Sequence, residues 1–241
     1  MVEGAKLVTG ALAAGAEVEA VYVEHAAAAT PSVAEALGRA REAGVRVYEL
    51  GAGVIERVAD TVTPQPVLAV VRTPTAALED LGEVDFVVVC VEVRDPGNLG
   101  AIIRSADGAG ADAVVCSAGT VDPFNPKTVR ASAGSVLHLP VVAGPEPEEA
   151  LGWVSSRGIR CLAALSHGGT PYTEVDLTLP VALLFGNEAA GLPESLRPRI
   201  DATVTIPMAG RAESLNVSMA AAVLCFEVQR SRSLLAVERA P

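Results

Sequence analysis

Apolar positions recur along this chain with two alternating periods. Residues 4–14 place Leu7, Val8, Ala11 and Leu12 at helical spacing. Residues 18–23 form a short apolar run that reads as a strand. The helical pattern returns over residues 34–43 behind Pro31 and Ser32, with Ser32 as the expected N-cap. Strands at 45–50 and 67–71 complete a small α/β block. Arg72, Thr73, Pro74 and Thr75 break the pattern, and an acidic stretch at 79–85 follows. At Phe86 the pattern restarts with an unbroken apolar run, which suits a parallel strand covered on both faces. The expected order from there is strand 86–93, a Gly-rich turn, helix 98–109, strand 112–116, helix 125–133 and strand 139–143. Helix 146–157, strands 159–165, 180–185 and 202–206, and a last helix at 214–231 complete it. This alternation predicts a mostly parallel α/β sheet. The expected domains are 1–78 and 79–241.

Composition narrows the classes. Lys and Arg number 18 and Asp and Glu 29, a formal net charge of −11. Such a balance argues against non-specific binding to nucleic acid or anionic membranes, although a whole-chain charge can hide a local basic site. The longest apolar stretches fall short of the ~20 residues that span a bilayer, and the first residues lack a secretory pattern. Cys90, Cys116, Cys161 and Cys225 are widely spaced within apolar runs, with no CxxC pair. They read as buried, reduced thiols. His25, His138 and His167 are scattered, so no metal site is expected. The expectation is a soluble cytoplasmic protein.

Three loops carry the candidate chemistry, each behind a strand, where open parallel sheets bind ligands. In the first, Pro96 and two glycines make a tight turn and Asn98 is placed to cap the helix it opens; Arg104 lies six residues on, beside Ile102 and Ile103. A permanent cation there wants an anionic partner. In the second, an apolar strand ends in Gly186, Asn187 and Glu188, where glycine permits close approach of backbone to a ligand. In the third, Pro207 stops a strand, a glycine-containing loop follows, and Ser214 is the expected cap of the last helix. Asn216 and Ser218 are then expected inside that helix, where asparagine is disfavoured without a partner. The GxGxxG fingerprint of dinucleotide-binding oxidoreductases is absent from these turns.

Together these residues carry a family resemblance. Asp95-Pro-Gly-Asn-Leu-Gly with Arg104, Phe185-Gly-Asn-Glu, and Ile206-Pro-Met followed by Ser214-Leu-Asn-Val-Ser resemble, in order and spacing, the three motifs of the SpoU (TrmH-like) RNA 2′-O-ribose methyltransferases of the SPOUT class. The likeness covers roughly residues 84–231. Residues 125–135 are similar to the stretch between the first two motifs, and residues 1–78 to the substrate-binding domain that precedes the catalytic domain in many members.

The resemblance implies a trefoil-knotted catalytic domain with a parallel sheet, a small α/β RNA-binding domain before it, and a homodimer packed through the knot. It implies S-adenosyl-L-methionine as methyl donor, held by Ala164, Leu165, Gly186, Asn187, Glu188, Ile206, Met208, Leu215 and Asn216. The implied reaction is methyl transfer to a ribose 2′-hydroxyl, with Arg104 either activating that hydroxyl or anchoring the adjacent phosphate. Asn98, Glu188, Ser214 and Asn216 take positioning roles, and Arg94, Lys127 and Arg130 contact RNA. Ribosomal RNA is the expected substrate ahead of tRNA. The alternative is a non-catalytic RNA-binding or ribosome-assembly factor that keeps the fold. Two departures stand out. Ala189 occupies a position where glycine is common, and the basic segment usual before the residues matching Val2 and Glu3 is not in this sequence. Weak, strongly salt-dependent RNA binding is therefore expected.

Overall fold

The computed structural model describes residues 1–59 and 61–238. They fall into two units, Met1–Pro74 with Ala133–His138, and Thr75–Ser132 with Leu139–Pro241.

The first unit runs β1 (Val2–Glu3), α1 (Ala5–Ala13), β2 (Val18–Glu24), α2 (Pro31–Glu42), β3 (Arg46–Leu50), a single turn α3 (Ile55–Val58) and β4 (Val67–Val71). Its sheet order is β1-β4-β2-β3, with β2 and β3 parallel and the other pairs antiparallel. Val8, Ala11, Val33, Ala36, Leu37 and Ala40 of α1 and α2 are buried, as are Val21, Val23, Val67 and Ala69 of the central strands. Strand β3 lies at the edge. Ser32 is not the cap of α2. Pro31 fixes the first helical φ and makes Thr30 the N-cap, though Thr30 makes no side-chain capping bond.

The second unit runs β5 (Phe86–Cys90), α4 (Pro96–Gly108), β6 (Ala113–Cys116), α5 (Pro126–Ala131), β7 (Val141–Ala143), α6 (Pro147–Ser156) and β8 (Arg160–Leu165). It continues with β9 (Thr170–Pro171), β10 (Val181–Phe185), β11 (Ala202–Thr205) and α7 (Val217–Glu238). Seven strands form one parallel sheet in the order β7-β6-β5-β10-β8-β11-β9. Every residue of β5 and β10 is buried, which is why both read as continuous apolar runs. The chain moves outward from β5 to β7 and then returns to β8 on the far side of β10. The switch point of the sheet therefore falls at β5 and β10, where a crevice opens beyond the strand ends.

Strand β5 is shorter than its apolar run. Val91 still bonds to the Phe185 carbonyl, but Glu92 turns to φ 53° and ends the ladder. Helices α4 and α5 pack closely at Gly100. A Cβ built there would stand 2.5 Å from Ala131 Cβ and 2.6 Å from the Thr128 carbonyl oxygen. Helix backbone cannot yield cheaply, so Gly100→Ala is expected to destabilise by about 1–3 kcal/mol. Thermal unfolding should show a fall in Tm of several degrees, and an unchanged Tm would refute the close contact.

The thiols are buried and free. Burial pushes Cys161 and Cys225 up to about 12, and the hydrogen bond with Cys116 together with burial raises Cys90 well above the usual thiol range. Protonated, enclosed thiols are inert. No helix among the described residues is long and apolar enough to cross a membrane.

Candidate active site

Asp95, not Asn98, caps α4. Its Oδ1 accepts the Asn98 backbone N–H at 2.8 Å, and Pro96 occupies the first helical position. Asn98 is thereby the third residue of the helix, and its side chain is released for another task. Its Nδ2 donates to Glu188 Oε1 at 2.9 Å. Its Oδ1 accepts from Asn216 Nδ2 at 3.0 Å. Asn216 is not inside α7 either. Its carbonyl accepts the Ala220 N–H, and its Oδ1 accepts the Ser218 N–H at 2.9 Å and the Ser218 hydroxyl at 2.7 Å. Asn216 is the N-cap, and Ser214 stands two residues outside the helix. Asparagine caps well because its short side chain reaches the free N–H groups of the first turn.

Glu188, Asn98, Asn216 and Ser218 thus form one directed chain. An ionised carboxylate only accepts, so Asn98 must turn its amino group to Glu188 and its oxygen to Asn216. Asn216 in turn must present its oxygen to Ser218. One anion fixes the orientation of two amides from different loops. Partial burial alone would raise the Glu188 carboxyl. The Asn98 amide and the backbone N–H groups of Glu188, Arg94 and Asp95 outweigh that and hold it below the ordinary glutamate value. A depressed folded-state pKa adds stability above the unfolded value, and that contribution is lost as pH falls through the folded value. Wild type should melt above Glu188→Gln at neutral pH, and the gap should close below the ordinary value of 4.5. A gap independent of pH would assign it to packing.

The second loop is tied to the first. Asn187 Nδ2 donates to the Glu92 carbonyl at 2.9 Å, holding the left-handed residue that ends β5. Asn187 Oδ1 accepts the N–H groups of Ala189 and Ala190, and its backbone pairs with Gly191 in both directions. Gly186 makes this hairpin possible, since a Cβ there would lie 2.6 Å from the Gly191 carbonyl group.

Between these loops and the ends of β8, β10 and β11 lies a cavity of about 590 Å³. Ala164, Leu165, Gly186, Asn187, Glu188, Ile206, Met208, Ser214, Leu215 and Asn216 all line it. Sequence reasoning missed Ser166, Phe185, Ala190, Leu192, Val204, Val217, Ala220 and Leu224, small or apolar residues without a chemical signature. Ala189 also lines the cavity, at the position where glycine is common. Ser214 is an exposed wall residue without a hydrogen bond among the described residues. Asn98 stands behind the wall, reaching it through Glu188 and Asn216.

The cations are not in the cavity wall. Arg94 is exposed and pairs with Glu92 at 3.4 Å. Lys127 is exposed and Arg130 half-buried on α5. Arg104 is exposed on α4, about 9 Å along the axis from Asn98, and makes no hydrogen bond or ion pair among the described residues. Its guanidinium is an uncommitted charge, and the anionic partner expected for it is not within the described chain. Among the described residues, no three metal-ligating side chains stand together.

A cavity of this size at the switch point of a parallel sheet, with an oriented polar chain along one wall and unpaired cations outside, defines an α/β enzyme that handles a small ligand beside an anionic one. The chain belongs to the SpoU rRNA methylase family, whose pattern matches residues 85–226, and residues 1–77 match the family of RNA 2′-O ribose methyltransferase substrate-binding domains. It is 39% identical over 188 residues to the 23S rRNA (guanosine(2553)-2′-O)-methyltransferase RlmP of Bacillus subtilis, covering 78% of this chain and 74% of that one. Its structure resembles the SpoU methyltransferase AviRb from Streptomyces viridochromogenes in complex with AdoMet, with TM-score 0.84 and 33% identity over 97% of this chain and 90% of that one. The AdoMet-bound rRNA methyltransferase from Sinorhizobium meliloti aligns with TM-score 0.82 and 36% identity over 95% of this chain and 86% of that one.

Proposed function

We infer that this protein methylates a ribose 2′-hydroxyl of ribosomal RNA, with S-adenosyl-L-methionine as donor. The observation that carries the reading is the cavity at the strand ends, bounded by the Glu188–Asn98–Asn216 chain, within a fold shared with AdoMet-bound relatives. The cavity suits that cofactor. Its volume lies in the range of small-molecule sites, its walls are apolar around Leu165, Ile206 and Leu215, and Gly186 lets backbone groups face the ligand. When bound, the cofactor supplies an electrophilic methyl group.

The residues of the chain account for the rest. A 2′-hydroxyl is a weak nucleophile, and its oxygen gains negative charge as it attacks. Arg104 is a permanent cation, so we assign it electrostatic stabilisation of that oxygen and anchoring of the neighbouring phosphate, in preference to acting as a base. Asn98, Glu188 and Asn216 hold the wall of the cavity in register with the helix that carries Arg104. Arg94, Lys127 and Arg130 are assigned to the RNA backbone. Residues 1–78 are assigned to substrate binding and 79–241 to catalysis, with α7 threaded in the knot of the family.

The same reading includes a homodimer in the cytoplasm. Met219, Val223 and Phe226 recur at helical spacing on α7 and are 60%, 36% and 47% exposed, an apolar stripe that a second copy would cover. Four free thiols suit a reducing compartment.

Calorimetry with AdoMet and transfer of labelled methyl to deproteinised ribosomal RNA test the reading. Binding of AdoMet with incorporation at a 2′-O position is the expected result. A folded protein that binds no AdoMet would instead be a non-catalytic RNA-binding factor.

A further inference from the structure

The first unit carries an aromatic pair that its core does not need. Tyr22 of β2 and Tyr48 of β3 sit opposite each other in the register, with ring centroids 5.3 Å apart and planes 20° from parallel. In a chain with three tyrosines and 3% aromatic residues, two are stacked on one another at the edge of a sheet. Tyr48 is 43% exposed, so one face of the stack is open to solvent. Among the described residues neither phenol hydroxyl has a hydrogen-bond partner.

The surroundings select the occupant. Strand periodicity puts Arg46 on the same face as Tyr48, two residues away, and Arg46 is exposed and unpaired among the described residues. In the other direction Glu24 and Leu50 continue that face into a hollow of about 470 Å³ whose lining includes His25 and Glu49. His25 Nδ1 lies 2.6 Å from Glu49 Oε2. Carboxylates repel phosphates but accept from the amino groups of bases. One side of the stack therefore offers a cation for a phosphate, the middle offers a π-face, and the other side offers acceptors for a base edge. RNA-binding sheets use this combination to hold unpaired bases.

We propose that Tyr22 and Tyr48 form a stacking platform for an unpaired nucleobase of the RNA substrate, with Arg46 at its phosphate. The inference rests on the reading of the chain as an RNA methyltransferase, and it names where the first unit grips the substrate. It also explains how an acidic protein can hold RNA. Stacking draws on the π-face of the base, which every base has, and needs no net positive charge.

The test is steady-state methyl transfer to deproteinised ribosomal RNA by wild type, Tyr48→Phe, Tyr48→Leu and Tyr48→Ala. Tyr48→Phe should keep KM for RNA within about twofold, because the ring remains. Tyr48→Leu and Tyr48→Ala should raise it about tenfold or more. In all three, kcat and AdoMet affinity should stay near wild type, and loss of the cross-strand stack in Tyr48→Leu and Tyr48→Ala should lower Tm by only a few degrees. The salt dependence separates the two contacts. Tyr48→Ala should weaken binding equally at every salt concentration, whereas Arg46→Ala should flatten the slope of affinity against salt. An unchanged KM in Tyr48→Ala overturns the platform while leaving the methyltransferase reading intact. If KM is unchanged but Tyr48→Ala loses a self-association seen for wild type in sedimentation, the patch is a protein surface, and the platform is again overturned. Wild type that methylates no RNA removes the reading and the platform together.

Discussion

Arg104→Ala is expected to cut methyl transfer by about 10²–10³-fold while leaving AdoMet affinity and fold unchanged. Arg104 is exposed and unpaired among the described residues, and it lies outside the cavity wall. Removing it breaks no ion pair and opens no core, so no loss of stability should confuse the result. On the role assigned to Arg104 above, what disappears is a fixed cation that stabilises an oxygen gaining charge in the transition state. Loss of a single stabiliser of that kind costs about 10²–10³ in rate. Arg104→Lys keeps the charge but loses the planar fork that matches phosphate, so partial activity is expected. Labelled methyl transfer at saturating AdoMet and RNA, with calorimetry in parallel, reads both quantities. Robust transfer by Arg104→Ala would place the activating charge elsewhere, with Arg94, Lys127 and Arg130 next to be tested.

The second large effect is expected from a change of one atom. Asn98→Asp keeps the shape of the side chain but replaces the amino group that donates to Glu188. Two carboxylates would then meet at hydrogen-bond distance, and both cannot remain ionised at neutral pH. The mutual orientation of Asn98, Asn216 and Ser218 would fail with them. Transfer at neutral pH should fall about a hundredfold, the scale on which small misplacements act. Lowering the pH should restore part of it, since a shared proton re-creates the donor. Asn98→Ala cannot recover in this way. A rate–pH profile of Asn98→Asp that parallels Asn98→Ala would show that the chain of amides does not depend on a donor at this position.

Much of the site was legible because chemistry sits at the ends of long apolar runs. Phe86–Cys90 and Val181–Phe185 are buried on both faces, so their ends are the first places where polar residues can appear. The errors concern which polar residue does what. Asn98 looks like a cap, but Asp95 precedes Pro96, and a proline at the first helical position assigns the cap to the residue before it. The same rule moves the cap of α2 from Ser32 to Thr30. Ser214 and Asn216 are both good caps by type. Only the geometry of the loop shows that Asn216 takes that position, and so faces Asn98. Glu92 could not be read at all, because a left-handed residue without glycine is enforced by the Asn187 side chain from a distant loop. The net charge of −11 pointed away from nucleic acid. It averages over a surface on which Arg104, the cation assigned to the reaction, stands exposed and unpaired among the described residues.

The strand order has a consequence for synthesis. Strand β5 is translated roughly ninety residues before β10, which becomes its neighbour in the centre of the sheet. At ordinary elongation rates that interval is about 5–20 s. Throughout it, the edge of this entirely apolar strand that faces β10 has no partner, whereas β6 follows within about thirty residues to cover the other edge. The N-terminal unit is also unfinished when its own stretch has been made, because Ala133–His138 belongs to it. Nascent chains of this protein are therefore most vulnerable to aggregation between the emergence of β5 and that of β10, and slower translation over that stretch would lengthen the exposure.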